Sequence, residues 1–242
     1  ITGFSEGTYE ATRQRLAAEG EFLFSTVNGS RHRVGRFELP RLGDLRTGVG
    51  ELARSGPRCT LRGVVGDSRA LHADPAFADA TFQVASQFNA LEMVAPDVSP
   101  EAGVTRYVHD RTQGPACAIA AGAATIWRNY FVPLDGGTGQ TEHRQIDALA
   151  GVGRSLGMRL GCRTEELWSM RNGYALASEG GLRAIGDWLH AAPDSEREAL
   201  KSELCVAVQR GADVTDLPRE ARHVVTQVFC SALPVAYSAQ RS

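Results

Sequence analysis

Thr81-Phe-Gln-Val-Ala-Ser-Gln-Phe-Asn-Ala-Leu-Glu92 and, after a loop, Asp110-Arg-Thr-Gln-Gly-Pro-Ala-Cys-Ala-Ile-Ala-Ala-Gly-Ala-Ala124 decide how the fold is read. Ala80–Ala85 predicts a strand, and Ser86, Gln87 and Asn89 place a hydroxyl and two amides where that strand leaves its sheet. In α/β proteins, ligands gather beyond the carboxyl ends of strands. The same amides would equally serve to satisfy backbone groups in a turn. Pro115 to Phe131 then predicts a helix. Thr112 or Gln113 can cap it, Gly114 permits a close approach, and Pro115 suits a first turn where its missing N–H is no loss. Six of the ten residues from Pro115 to Ala124 are alanine and one is glycine. A helix start without bulky side chains leaves its free N–H groups open to a diphosphate. A helix packed tightly on a sheet needs the same small residues, so both readings stand.

Working toward the N-terminus, Cys59–Val65 reads as a short apolar strand ending in Gly66-Asp67. Leu42, Leu45, Val49 and Leu52 recur at helical spacing, and Ser55-Gly56-Pro57 would stop that helix. Thr8 to Glu19 predicts a helix closed by Gly20. Glu21–Thr26 and Arg33–Leu39 predict strands joined through the Asn28-Gly29 turn, with Pro40 ending the unit. Toward the C-terminus, Asp135-Gly-Gly-Thr-Gly139 reads as a flexible connection rather than a phosphate loop. Ile146, Leu149, Val152 and Leu156 mark an amphipathic helix. Thr164 and Ser178 are N-caps for helices running to about Arg171 and about His190, and Ser195-Glu196-Arg197-Glu198 is a capping-box signature. Leu204–Val208 and His223–Ser231 are the closing strands. Strands alternating with helices imply one layered α/β domain over 1–242, an N-terminal elaboration (1–57) on a core (58–242).

Composition narrows the function classes. The chain of 242 residues is 43% hydrophobic and 22% charged with a net charge of −2, and its arginines form no block. That balance argues against sequence-blind nucleic-acid binding, which needs a positive field. Five cysteines, an odd number with no C-x-x-C pair, read as buried thiols in a reducing compartment. No cationic segment with an apolar stretch opens the chain, and no apolar run approaches a membrane span. Ile1 at its start is read as a mark of trimming. The expectation is therefore a cytoplasmic protein, or one delivered into a host cytosol, with neither nucleic acid nor membrane as partner. Trp127, Trp168 and Trp188 sit on helical patterns and are expected in the core.

Glu92, Asp97, Glu101 and Asp110 fall between the two deciding segments, in a loop with Pro96 and Pro100. Such acids are either ordinary surface residues or they hold a cation or activate water beside a glycosidic carbon. His72-x-Asp74 and His109-Asp110 lack third and fourth partners at a suitable spacing, so neither a metal nor a cofactor is expected.

Together these segments resemble a known family. Val65-Gly-Asp67 resembles the Gly-Asp element that opens many macrodomains. Asp79 to Glu92 resembles the macrodomain strand and loop that carry a ribose-binding Asn, with Ser86-Gln-Phe-Asn89 in place of the usual Asn-Ala-Ala-Asn. Taken with Trp127-Arg-Asn-Tyr-Phe131 and Gln227-Val-Phe-Cys-Ser-Ala-Leu-Pro234, the texture is similar to the divergent, MavL-like branch of that family, the arginine-specific ADP-ribosylhydrolases, from about Gly66 to Tyr237. The resemblance implies a three-layer macrodomain-like fold, a mixed central sheet flanked by helices. It implies ADP-ribose on a protein arginine as ligand, with ubiquitin as the modified protein. The diphosphate would lie over Gln113, Gly114, Pro115, Ala116 and Cys117, entered through Thr112, and the distal ribose near Gln87 and Asn89. Adenine would lie by Asp67 and the end of the last strand, Phe229 and Ser231. Glu92, Glu101 and Asp110 would face the anomeric carbon, one orienting water and another steadying the protonated guanidine. Asp110 is the first choice because it directly precedes the phosphate turn. The alternatives are a non-catalytic ADP-ribose reader or a hydrolase of another ADP-ribosyl linkage, with a metal-dependent phosphohydrolase behind both.

Overall fold

The computed structural model describes residues 1–49 and 60–230. The predicted N-terminal helix is short. α1 (Tyr9–Arg13) is capped by Thr8, and Leu16–Glu19 is instead a strand, β1, pairing antiparallel with β2 (Phe22–Ser25). Gly20, at φ +55°, is the hairpin turn between them rather than a helix stop. The Asn28-Gly29 turn forms as expected and leads to β3 (Arg31–Arg33), but the single strand predicted over Arg33–Leu39 is broken at Val34-Gly35, where Gly35 takes φ +72°, and only β4 (Arg36–Glu38) forms there, in another sheet. α2 spans Leu42–Val49, while Leu52 and the Ser55-Gly56-Pro57 stop lie outside the described residues, as does Cys59. From 60 to 65 the predicted strand does not form, and Leu61, Val64 and Val65 are exposed. α3 (Ser68–Ala73) begins at Asp67, whose carboxylate accepts the Arg69 and Ala70 N–H groups.

β5 (Thr81–Ala85) is as predicted and lies at a sheet edge. Gln113 meets that edge with its side chain, Oε1 accepting from Ala85 N (2.8 Å) and Nε2 donating to Gln83 O (2.7 Å), in the manner of a further strand. The alanine-rich helix is two helices, α4 (Gln113–Ala120) and α5 (Gly122–Tyr130). Thr215 causes the break: its N–H donates to Ala120 O and its hydroxyl oxygen accepts from Gly122 N (2.9 Å). Asp135 to Gly139 is a small hairpin, β6 (Pro133–Leu134) with β7 (Gly137–Thr138), and Arg144 donates to the carbonyls of Gly136, Thr138 and Gly139. It is therefore a braced turn, where a flexible connection was predicted.

α6 (Ala150–Leu160) carries Val152 and Leu156 of the predicted pattern, while Leu149 caps it and Ile146 precedes it, and it ends on Gly161 in the left-handed region. The helix opened at Thr164 stops after one turn, α7 (Thr164–Leu167). The chain then turns extended into β8 (Trp168–Arg171) and β9 (Tyr174–Ala177), joined by Asn172-Gly173 at φ 47° and 82°. Asn-Gly is the favoured pair for such a two-residue turn. α8 (Glu179–Ala191) is capped by Ser178 as expected, and α9 (Asp194–Ser202) starts just before Ser195. Leu156, Leu167, Trp168 and Leu200 bind this helical group together, with Met170, Ala175 and Trp188 packed against them.

β10 (Ala207–Asp213) starts later than predicted and runs further, and β11 (Val224–Cys230) closes the described chain, with Ser231 outside it. The fold is mixed α/β, its main sheet ordered β4-β10-β11-β5, antiparallel except for β11 beside β5. Val84, Phe229 and Ala207 lie in one row across it and pack with Cys117, Val132 and Trp127 beneath α4 and α5. Burying such a row is the main source of stability, about 25 cal/mol per Å² of apolar surface. The opposite face presents Arg36, Thr81, Gln83 and Arg210 to solvent. Val208, in the same row as Gln83 and Val228, is nevertheless buried on that face.

Candidate functional site

β5 and β11 run parallel, so Ala85 and Cys230 open on the same end of the sheet. The chain leaves β5 at Ser86 and folds the loop 86–93 back beneath the helices. Ala90 is held at φ 57°, a region that costs a non-glycine residue about 1–2 kcal/mol. Two contacts hold it there. Ala90 N donates to Gln87 O, and the fully buried Arg128 donates through Nε to Ala90 O (2.9 Å). The rest of that guanidinium reaches Gln209 Oε1 and Thr125 Oγ1, and its Cζ lies 4.2 Å from the Phe229 ring centre.

Asn89 is wholly buried. Its Oδ1 accepts from Leu91 N and its Nδ2 donates to Gln145 Oε1. It is a structural keystone in this arrangement, with no side-chain atom facing a cleft. Gln87 donates from Nε2 to the Tyr174 hydroxyl (3.1 Å), while its Oε1 is buried without a partner among the described residues.

Glu92 lies at the centre. Its N–H donates to the buried Tyr107 hydroxyl (3.1 Å), and its carboxyl is 2% exposed, with Oε1 lacking a partner among the described residues. Burial pushes this carboxyl up to about 8 against the opposing charge of Arg128; the Asp110 charge acts in the same upward sense. Desolvation disfavours the ionised form, so the group is largely neutral at pH 7.

Its other oxygen sits against Gly114, where a β-carbon would overlap both Glu92 Oε2 and the Ala85 carbonyl. This corrects the expected diphosphate niche. Gly114, Ala116 and Cys117 are buried, and the space at the start of α4 is filled by the Glu92 carboxyl and the last carbonyl of β5. Gln113 is spent on β5, Pro115 is half-buried, and burial raises the Cys117 thiol to about 12, which keeps it protonated.

Asp110 precedes α4. Its carboxylate accepts from Thr112 N (2.8 Å) and Thr112 Oγ1 (2.6 Å), and these bonds lower its pKa. Glu101 stands apart, both oxygens accepting the Glu142 N–H, with Tyr9 as its neighbour. Asp67 is occupied in capping α3. Phe229 is core beneath Arg128, and Ser231 lies outside the described residues. The structure therefore gathers Gln87, Glu92, Asp110 and the start of α4, and leaves Glu101, Asp67 and Phe229 elsewhere.

Arg128, Tyr107, Tyr174 and the Asn172-Gly173 turn were not singled out from sequence as site residues. The turn carried a readable Asn-Gly signal, whereas nothing local marks Arg128. A cavity of about 630 Å³ lies under the N-terminal strap, walled by Phe4, Leu16, Val104, Tyr107, Ile119 and Ile126, so that Tyr107 separates it from Glu92. Of the carboxylates at its edge, Glu6 is spent on Val104, Thr105 and Tyr130, and Asp216 pairs with Arg69. Among the described residues no three His, Cys, Asp or Glu side chains converge as metal ligands would, and no helix is long and apolar enough to cross a membrane. Comparison with protein-family models, with curated proteins and with solved structures returns no match, so the chemistry of this cluster rests on its own geometry.

Proposed function

We propose that this chain is an ADP-ribosylhydrolase of macrodomain type that removes ADP-ribose from a modified arginine, ubiquitin being the candidate protein. One observation carries the reading. At the carboxyl ends of the parallel pair β5 and β11, two carboxyl groups are pushed apart in pKa: Glu92 up by burial, Asp110 down by its bonds to Thr112. Such a split gives one acid and one base near neutral pH. A neutral Glu92 donates its proton to the departing guanidine nitrogen as the bond to the anomeric carbon breaks. An ionised Asp110 takes a proton from the water that adds to that carbon. A neutral acid is what a poor leaving group such as guanidine needs. Glu101 has no part in this scheme.

The test is ADP-ribose release from arginine-linked and glutamate-linked ADP-ribosylated ubiquitin. Arginine-linked substrate is expected to turn over, and Glu92→Gln to slow it by about 10²–10⁴. Asp110→Ala turning over within about twofold of the wild type would remove Asp110 from the scheme. Binding of ADP-ribose in calorimetry with no turnover of either substrate would favour the reader. No heat at millimolar ADP-ribose would end the reading.

A further inference from the structure

The cavity of about 630 Å³ lies between the N-terminal strap, residues 1–7, and the joint of α4 with α5, where Ala118, Ile119, Gly122 and Ile126 line it. The strap is pinned at both ends. Thr2 O accepts from Ser25 Oγ (2.6 Å), and Ile1 O accepts from Ser30 Oγ (2.9 Å). At the other end the Glu6 carboxylate accepts from the N–H groups of Val104 (3.0 Å) and Thr105 (2.8 Å) and from the Tyr130 hydroxyl. Gly103, at φ +79°, makes room for that carboxylate, since a β-carbon there would fall 2.3 Å from the Glu6 carboxyl carbon. These anchors fix the path of the strap, and with it the hollow beside the helices.

The polarity of the wall selects what fits. Its buried polar side chains are bonded within the chain. Thr12 Oγ1 accepts from Gly7 N (3.0 Å), Thr125 Oγ1 donates to Ala118 O (2.7 Å), Tyr107 accepts from Glu92 N, and Tyr130 donates to Glu6. None of the partnerless buried polar atoms among the described residues belongs to this wall. The charges at the rim are engaged as well, Asp216 with Arg69 and Glu6 with its donors. A site of this kind gives water few hydrogen bonds and gives a ligand charge no counter-charge, so an apolar group displaces water from it favourably. Its volume is that of a small-molecule site, roughly 300–1,000 Å³.

We propose that this cavity binds an uncharged, mainly apolar small molecule, at a site that Tyr107 walls off from Glu92. The isoleucines provide the test. The chain has five; Ile1, Ile119 and Ile126 line the cavity, whereas Ile146 and Ile185 pack in other clusters. Indole is titrated into protein carrying ¹³C-labelled isoleucine methyl groups and followed by NMR. The Ile119 and Ile126 methyls are expected to shift together and saturate at about millimolar indole or below, with Ile146 and Ile185 unmoved. No saturable shift up to about 5 mM would overturn the proposal. So would contacts from those two methyls to residues outside the wall in the protein alone, because the chain would then fill the cavity itself.

Indole-3-acetate and tryptamine test the class of ligand: either ion binding about tenfold tighter than indole would refute an uncharged occupant. Ile119→Trp places a ring in the cavity and is expected to abolish the Ile126 shift with indole; an undiminished shift in the folded variant would refute the location. Should that variant not fold, the wild-type titration decides. ADP-ribose is expected to leave the Ile119 and Ile126 methyls unmoved, and a shift of both would assign the cavity to the nucleotide and overturn this proposal. Failure of ADP-ribose to bind anywhere ends the preceding reading and leaves the indole result standing.

Discussion

Replacing Glu92 by Gln keeps the shape of the side chain and removes its titration, which isolates the cost of the buried acid. The wild-type carboxyl moves from 4.5 in the unfolded chain to about 8 in the fold. Below 4.5 it is protonated in both states and has no pH effect. Between the two values the unfolded chain has lost the proton that the folded protein still holds, so stability falls as pH rises. Each pH unit in that window costs about 1.4 kcal/mol, or roughly 3–4 kcal/mol between about pH 5 and about pH 8. Above about 8 the loss levels off. Other groups tilt the profile. The buried His32 and His72 have lowered pKa values and so lose stability as pH falls, but they do so in both proteins. Asp110, lowered from 3.8, titrates below the window. The assay is urea unfolding at fixed salt across that pH range, and the quantity of interest is the difference between variant and wild type. It should grow in favour of Gln with rising pH by about that 3–4 kcal/mol, whatever constant offset the new amide introduces. Parallel profiles would show that Glu92 is ionised, and solvated, in the fold.

Two further substitutions test the packing around it. Gly114→Ala places a methyl on Glu92 Oε2 and Ala85 O, and is expected to cost roughly 1–3 kcal/mol by urea unfolding; a neutral result would mean that the start of α4 is open. Arg128→Met strips donors from Ala90 O, Gln209 Oε1 and Thr125 Oγ1, and should cost about 3–5 kcal/mol in the same assay.

Legibility followed the range of the forces involved. β5, the body of α6, α8 with its Ser178 cap, β11 and the Asn28-Gly29 turn were readable because periodicity and capping act within a few residues. The split of the alanine-rich helix was not, since the cause is Thr215, distant in sequence, taking the Gly122 N–H. The segment after Thr164 was misread because Trp168-Ser-Met-Arg is short enough to suit either period, and the deciding Asn172-Gly173 signal lies beyond it. Asp67 was read as the end of a strand and a contact for adenine; it caps α3, a helix the pattern did not announce, and its oxygens serve that helix.

Gly114 shows why the site was harder to read than the fold. A glycine at a helix start signals that something approaches the backbone closely, and the sequence does not name what approaches. Here it is a carboxyl from the same chain. Free N–H groups at a helix start favour an anion, yet burial acts in the opposite direction on Glu92 and prevails, since the group ends near 8 rather than below 4.5. A carboxyl kept neutral by enclosure has the proton that a leaving group needs, but enclosure also bars the leaving group. The raised pKa and contact with substrate therefore belong to different positions of whatever covers Glu92, and an acid role for this residue requires that the loop 86–93 be uncovered, loaded and closed again within each turnover.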